Sequence, residues 1–406
     1  MRSWMRAASA MFVVGWGANQ FSPLLLVYRA DSGVTASVVT TAFAAYAAGL
    51  IPALLLAARF AQRFGRRQVV CAALVLSAVA SAVLLVGGDH FWALMLGRLV
   101  AGVASGAAFG PGTAWIKDLS ADAGPGAGPG AGARRAAVAL SAGFGGGPLV
   151  AGILAQWLAA PEALPYLVHL CLTAAVTPFV WKAPDPAVPD PAVPGPAATV
   201  AGGSRQSRPR LRTALLQREF RWEVAPSAPL VFGAPTTSFA VLPALVPLHG
   251  PEIAAGGGIA GLTLLTGLLV QPPARRLSRR GSHVTRHWGL VAAVLGFLLA
   301  AAAVRLAEPA LLIPAAMALG ACYGLLLVAG LSQVEAWAAP RDLAGAAAVF
   351  YCLAYLGFVT PLVVTALRGV LPPAPLFVCA AATAAILIPA TALLRRASPG
   401  HPSHTG

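Results

Sequence analysis

Apolar runs of about 20 residues recur twelve times along this chain, separated mostly by short turns. That length matters, because about 20 residues rising 1.5 Å each are what a helix needs to cross the bilayer core. The runs fall at 7–28, 38–58, 68–88, 91–113, 135–158, 163–181, 222–246, 253–272, 286–305, 309–334, 343–367 and 373–394. Only 10% of the residues are charged, against roughly 25% in an average soluble domain, so a soluble core is excluded. The expectation is an all-α polytopic membrane protein.

The basic residues test this count independently of hydropathy. With both termini in the cytoplasm, all but four of the 28 Lys and Arg fall in cytoplasmic segments. The exceptions are Arg29, Arg305 and Arg368 in outer loops and Arg98 inside span four. One missed or invented span would invert every later segment, so the partition supports twelve crossings of the cell membrane, with the lipid bilayer as partner. The net charge of +15 does not imply nucleic acid, since the basic residues sit in short turns and not together on a soluble face.

Chemistry-bearing clusters are scarce. All five cysteines lie within apolar runs without paired spacing, and the seven histidines form no set with acids or one another. No metal site, cofactor or catalytic constellation is expected, and hence no enzyme.

The chain repeats itself. A short basic turn from Ala58 to Arg67, ARFAQRFGRR, is echoed from Ala274 to His283, ARRLSRRGSH, and Arg59, Arg63 and Gly65 share their spacing with Arg275, Arg279 and Gly281. In span five GFGGGP, Gly143 to Pro148, corresponds to GFVTP, Gly357 to Pro361, in span eleven. Between the copies, Lys182 to Arg221 is polar and begins Pro-rich, a composition that extends and packs no core. Its later part carries Leu211, Leu215, Leu216 and Phe220 among arginines, and reads either as a helix lying on an anionic leaflet or as a solvated tether. The expected organisation is a six-helix bundle at 1–182, a cytoplasmic linker at 183–221, a second six-helix bundle at 222–396 and a disordered cytoplasmic tail at 397–406. Two such pseudo-symmetric halves about an axis along the membrane normal place a substrate site between them at midplane, and a monomer suffices to form it.

On these residues the chain resembles the major facilitator superfamily (MFS). The family's loop motif between spans two and three reads roughly G-x-L-a-D-R-x-G-R-R; Arg63, Gly65, Arg66 and Arg67 match it, while Gln62 stands for the acid and Ala58 for the first glycine. In span four Arg98 is followed by Gly102 and Gly106, as in the family. In span five Gly143, Gly147, Pro148 and Gly152 fit its antiporter-type motif. The resemblance implies the MFS fold of twelve transmembrane helices in two six-helix bundles. It also implies a role for Arg98 in proton coupling or anion binding, against which stands a structural reading as an arginine snorkelling to the interface.

Inner-face charges offer a gate. Arg63, Arg66 and Arg67 with Asp118 and Arg134 form one expected cluster, and Arg275 and Arg279 with Glu335 and Arg341 the other, the alternative being exposed charges that only set topology. For the cavity, polarity points to Asn19, Gln20, Tyr46, Trp115, Tyr323, Tyr351 and Tyr355, with Trp16, Phe21, Thr236, Thr237 and Ser238 behind them. No acid is expected well inside spans one to nine, which leaves Asp31 at the outer mouth as the titrating candidate. The expected function is export of small amphipathic molecules by alternating access, with protons as candidate coupling ion. An uptake or facilitative carrier for a small metabolite, and a non-transporting receptor or scaffold, stay open.

Overall fold

The computed structural model describes residues 2–30, 35–87, 90–121, 131–185, 220–338 and 343–396. These fold almost entirely into helix, and the helices follow the twelve apolar runs. Span one is Ser3–Asn19 continued by Phe21–Ala30; spans two to six are Ala36–Phe64, Arg66–Gly87, Phe91–Ala121, Ala131–Trp157 and Leu164–Trp181. Span seven is a broken stretch over 220–244; spans eight to ten are Glu252–Ser278, Ser282–Leu306 and Leu312–Trp337. Span eleven joins Leu343–Tyr355 to Thr360–Leu367 through a 3₁₀ turn, and span twelve is Pro373–Arg396. Ten of these are long and apolar enough to cross a membrane among the described residues, span seven being interrupted and the apolar part of span twelve shorter.

Span seven breaks for a covalent reason. Pro229, Pro235 and Pro243 each lack a backbone N–H, and π turns at Phe220–Val224 and Thr237–Val241 flank the Ala228–Thr236 helix. In the other direction, several helices outrun their apolar segments at the basic face. Span two continues to Phe64 and span four to Ala121, because Arg, Gln and Lys support helix once outside the hydrocarbon. The basic turn expected at Ala58 to Arg67 is consequently a single residue, Gly65, whose φ of 88° favours glycine. Gly281, at φ 130°, ends the three-residue turn 279–281 between spans eight and nine.

The halves share one packing plan. Span four lies against spans two and three, and span ten against eight and nine; spans three and six pair as nine and twelve do. Small residues set the closest approaches. A Cβ on Gly102 or Gly106 would collide with the Tyr46 or Leu50 carbonyl of span two, and one on Gly320 or Gly324 with the Thr263 or Gly267 carbonyl of span eight. Likewise Gly143 sits on the Phe12 carbonyl of span one, and Gly357 on the Pro229 carbonyl of span seven. The duplicated motifs thus make duplicated contacts.

Between the halves, contact concentrates at the face away from the basic turns. Span five lies along span eight, with Gly152 so close that a Cβ would stand 2.8 Å from the Ile253 carbonyl. There the Gln156 Oε1 accepts from the backbone N–H groups of Ile253 and Ala254 at 2.9 and 3.3 Å, satisfying orphan donors at the start of span eight from the opposite bundle. The far-face part of span one, Phe21–Ala30, also packs on spans seven and eight. The far face is closed, and the space between the bundles lies toward the basic one.

Candidate functional site

A cavity of about 780 Å³ separates the halves on the basic side. Spans two and four supply Leu54, Gln62, Pro111 and Asp118 to its wall, and span eleven supplies Ala347 and Tyr351. Tyr351, on the cavity wall, begins a line of rings that runs on from it into the protein. Its ring lies 6.1 Å from that of Tyr355, which stacks on Phe232 of span seven at 4.5 Å and 8°. Phe232 in turn lies 5.4 Å from Phe358 and 5.5 Å from Tyr323 of span ten. Phe358 meets Tyr46 of span two at 5.3 Å, so the line crosses from one bundle to the other. Three helices of one half and one of the other therefore build a single aromatic roof, suited to stacking a flat apolar solute.

Arg98 stands behind that roof. Its guanidinium lies over Tyr46 at 4.5 Å, Phe21 at 4.7 Å and Phe43 at 5.6 Å, and NH1 donates to the Ala18 carbonyl at 3.1 Å. It is 1% exposed, which excludes snorkelling to an interface. A charge at this depth costs several kcal/mol, offset here by ring quadrupoles worth about 0.5–2 kcal/mol each and by a charged hydrogen bond. No acid reaches it among the described residues, and its Nε has no hydrogen-bond partner there.

Of the residues expected to line the cavity, the structure brings Tyr46, Tyr323, Tyr351 and Tyr355 together. It sends the others elsewhere. Trp115 is fully buried and its Nε1 donates to the Pro184 carbonyl at 2.8 Å, tying span four to the segment after span six. Gln20 donates to Ser81 at 3.1 Å inside the first bundle, and Asn19 is buried beside it. The Thr236 and Thr237 hydroxyls donate to carbonyls four residues back, and Ser238 bonds Thr263. Trp16 is likewise taken up in helix packing, under Gly147. Phe232 and Phe358 escaped the sequence reading because a lone Phe in an apolar run carries no signal.

The inner-face charges resolve only in part. Arg66 pairs with Asp118 at the cavity mouth. Arg67 instead caps span six: its backbone N–H donates to Asp185 Oδ2 at 2.8 Å, and NH1 to the Trp181 and Ala183 carbonyls at 3.4 Å. Arg63 lies over the Phe64 ring at 5.3 Å; Arg134 is exposed, and its neighbour Arg135 covers Trp4 at 4.2 Å. Arg275, Arg279 and Glu335 are exposed and make no ion pair among the described residues, while Arg341, like Asp31, lies outside them. The Arg66–Asp118 pair is partly solvated, so Asp118→Asn should cost under about 1 kcal/mol of stability by thermal unfolding. If the pair gates the cavity, Asp118→Asn with Glu335→Gln shifts crosslinking between the bundles at the basic face; unchanged crosslinking and transport would discard the gate.

No acid is expected well inside spans one to nine, and at the very start of span seven the structure buries one, Glu223. It lies on the π turn opening span seven, 6% exposed, with Arg286 NH1 3.2 Å and Gln333 Nε2 2.7 Å from its Oε2. Spans seven, nine and ten are pinned together by this buried triad at the basic end. Its signal was faint because Glu223 sits at the very start of an apolar run, where an acid reads as exposed.

Two like bundles with a cavity between them that opens to one face are the architecture of a membrane transporter. Known proteins agree: the chain belongs to the Major Facilitator Superfamily, whose sequence profile matches residues 7–304. Among curated proteins it is similar to the quinolone resistance protein NorA of Staphylococcus aureus, 27% identical over 146 residues. That match spans about a third of either protein, 36% of each. Among solved structures it is similar in fold to the nucleoside transporter NupG, at 14% identity, 98% of this chain, 100% of the other and TM-score 0.71. An auto-inhibited POT family peptide transporter matches at 13% identity over 100% of this chain and 99% of its own, TM-score 0.72.

Proposed function

We propose that this transporter exports small amphipathic molecules with a flat aromatic part across the cell membrane, by alternating access and in exchange for protons. The basic face is cytoplasmic, as the arginine partition argues, and both termini lie there. One observation carries the reading: a cavity bounded by both bundles, open toward the basic turns, has few charges in its wall and presents Tyr351, the first of a line of stacked rings. Such a wall offers apolar area and stacking, which suits an amphiphile better than a sugar or phosphate. The similarity to a quinolone resistance protein points the same way. The cavity walls are those parts of each bundle that alternating access would bring together.

The test is transport of a fluorescent quinolone in inverted membrane vesicles with and without a pH gradient. Uptake into the vesicles that collapses with the gradient is the expected result. Phe232→Ala should lower it about tenfold, since a lost ring stack is worth about 0.5–1.5 kcal/mol beyond its buried area. Uptake instead in right-side-out vesicles would replace export by import, and no transport of flat aromatic solutes by folded protein would end the reading.

A further inference from the structure

The far-face part of span one is attached to the rest of the chain through a break at Gln20, and the groups that hold this break are polar and buried. His169 of span six is fully buried against it. Its Nε2 lies 3.1 Å from the Val13 carbonyl of span one and its Nδ1 2.8 Å from Ser81 Oγ of span three, with Ser77 Oγ 3.4 Å from Nε2. A carbonyl only accepts, so Nε2 carries the hydrogen, Nδ1 offers a lone pair, and Ser81 donates to it. Ser81 Oγ then accepts the Gln20 Nε2–H at 3.1 Å. Room for the ring comes from Gly17, where a Cβ would stand 2.6 Å from Nε2. On another side of the same stretch, Arg98 holds the Ala18 carbonyl.

One atom in this set has no hydrogen-bond partner among the described residues: Gln20 Oε1, buried beside Ser81. That atom completes a second arrangement. If Nδ1 gains a proton from water, it donates to Ser81 Oγ, and the Ser81 hydroxyl must turn its hydrogen away. Rotation of the Gln20 amide by half a turn presents Oε1 as the acceptor. One proton has then been bound, and the two bonds that link span six to Gln20 through Ser81 have reversed direction.

We propose that His169 is a proton-binding site acting on the break in span one. Neutral His169 holds the far-face part of the span closed over spans seven and eight, and the doubly protonated ring releases it. The charge environment gives the sign. Span six packs on spans one, three and five. Span three presents only Ser77 and Ser81 near the ring, and span five has no charged residue after Arg135. Tyr28 of span one bonds Tyr166 of span six at 2.9 Å, and Glu162 precedes span six. The fixed buried charge on this stretch is that of Arg98, which a second positive charge on His169 would oppose across span one. Acid therefore favours separation of the span from one of its two holders. Opening exposes the ring to the far face, and protons bound there hold that face open, so the site deepens the proton-exchange reading on which it rests.

The experiment follows the far-face opening alone, with no substrate. Spin labels at Leu158 and Arg368 in the full chain lacking its native cysteines, in nanodiscs, report the distance between bundles by pulsed electron paramagnetic resonance. Between about pH 8 and about pH 5.5 the open population should rise at least about fivefold. His169→Gln should make it independent of pH, and Ser81→Ala, which keeps the imidazole but removes the acceptor of its protonated form, should move the midpoint to lower pH by about one unit or more. A flat population in the parent, or parent-like titration in either variant, overturns the proposal. Quinolone transport with a flat population would sink this site alone; a titrating population without transport would sink only the substrate reading.

Discussion

Glu223→Gln is expected to destabilise the folded protein by about 3–5 kcal/mol, read as loss of thermal stability in detergent. The substitution keeps shape and leaves the Gln333 contact an acceptor, so packing is not what changes. What is lost is the negative charge facing Arg286, whose guanidinium is 3% exposed. A buried cation that loses a carboxylate 3.2 Å away retains its desolvation cost and loses that compensation, which is why removing one partner costs more than the pair contributes. The double variant Glu223→Gln with Arg286→Met should recover most of the loss, because it removes the orphaned charge as well. Additive losses in that cycle would mean the triad acts through packing alone.

Gly152→Leu is expected to reduce transport at least about a hundredfold while leaving the bundles folded, because the clash it creates falls between them. A Cβ at Gly152 already meets the Ile253 carbonyl at 2.8 Å and the Gly257 Cα at 3.1 Å, and neither backbone can yield without moving span eight. Overpacking of that kind costs about 1–3 kcal/mol or more, and the far-face closure it opposes is one of two states in near balance. Far-face labels should then report a standing open form. Gly145→Leu, whose nearest span-eight atom would lie 3.8 Å away, is the milder control. Equal effects of the two would show that helix content, not closure, was disturbed.

The fold was legible because each crossing is long, the charges are sorted, and the repeat is printed twice in the turns. Hydropathy also placed the ends of apolar segments, but not of helices: Phe64 and Ala121 lie well past them because helix persists in water once started. Of the candidate ring cluster, Tyr323, Tyr351 and Tyr355 were legible, where a polar tip on an apolar run draws notice. Phe232, Glu223 and His169 were not legible, because their importance depends on partners far off in the chain: Ser81 and Val13, 88 and 156 residues from His169, and Gln333, 110 residues from Glu223. A glutamine counted as cavity-lining, Gln20, proved to face the opposite way, since a helical residue one position off a face points about 100° from it.

The one-residue joint at Gly65 and the three-residue joint at 279–281 have a mechanical consequence. With no slack between spans two and three, and only a three-residue turn between eight and nine, neither partner can slide or tilt far without dragging the other. Displacement at the central seam is thereby handed outward to the rim of each bundle, where it must be absorbed by surrounding lipid. Bilayer thickness and stiffness then enter the kinetics of the carrier directly, and lengthening either joint by a few glycines would uncouple them.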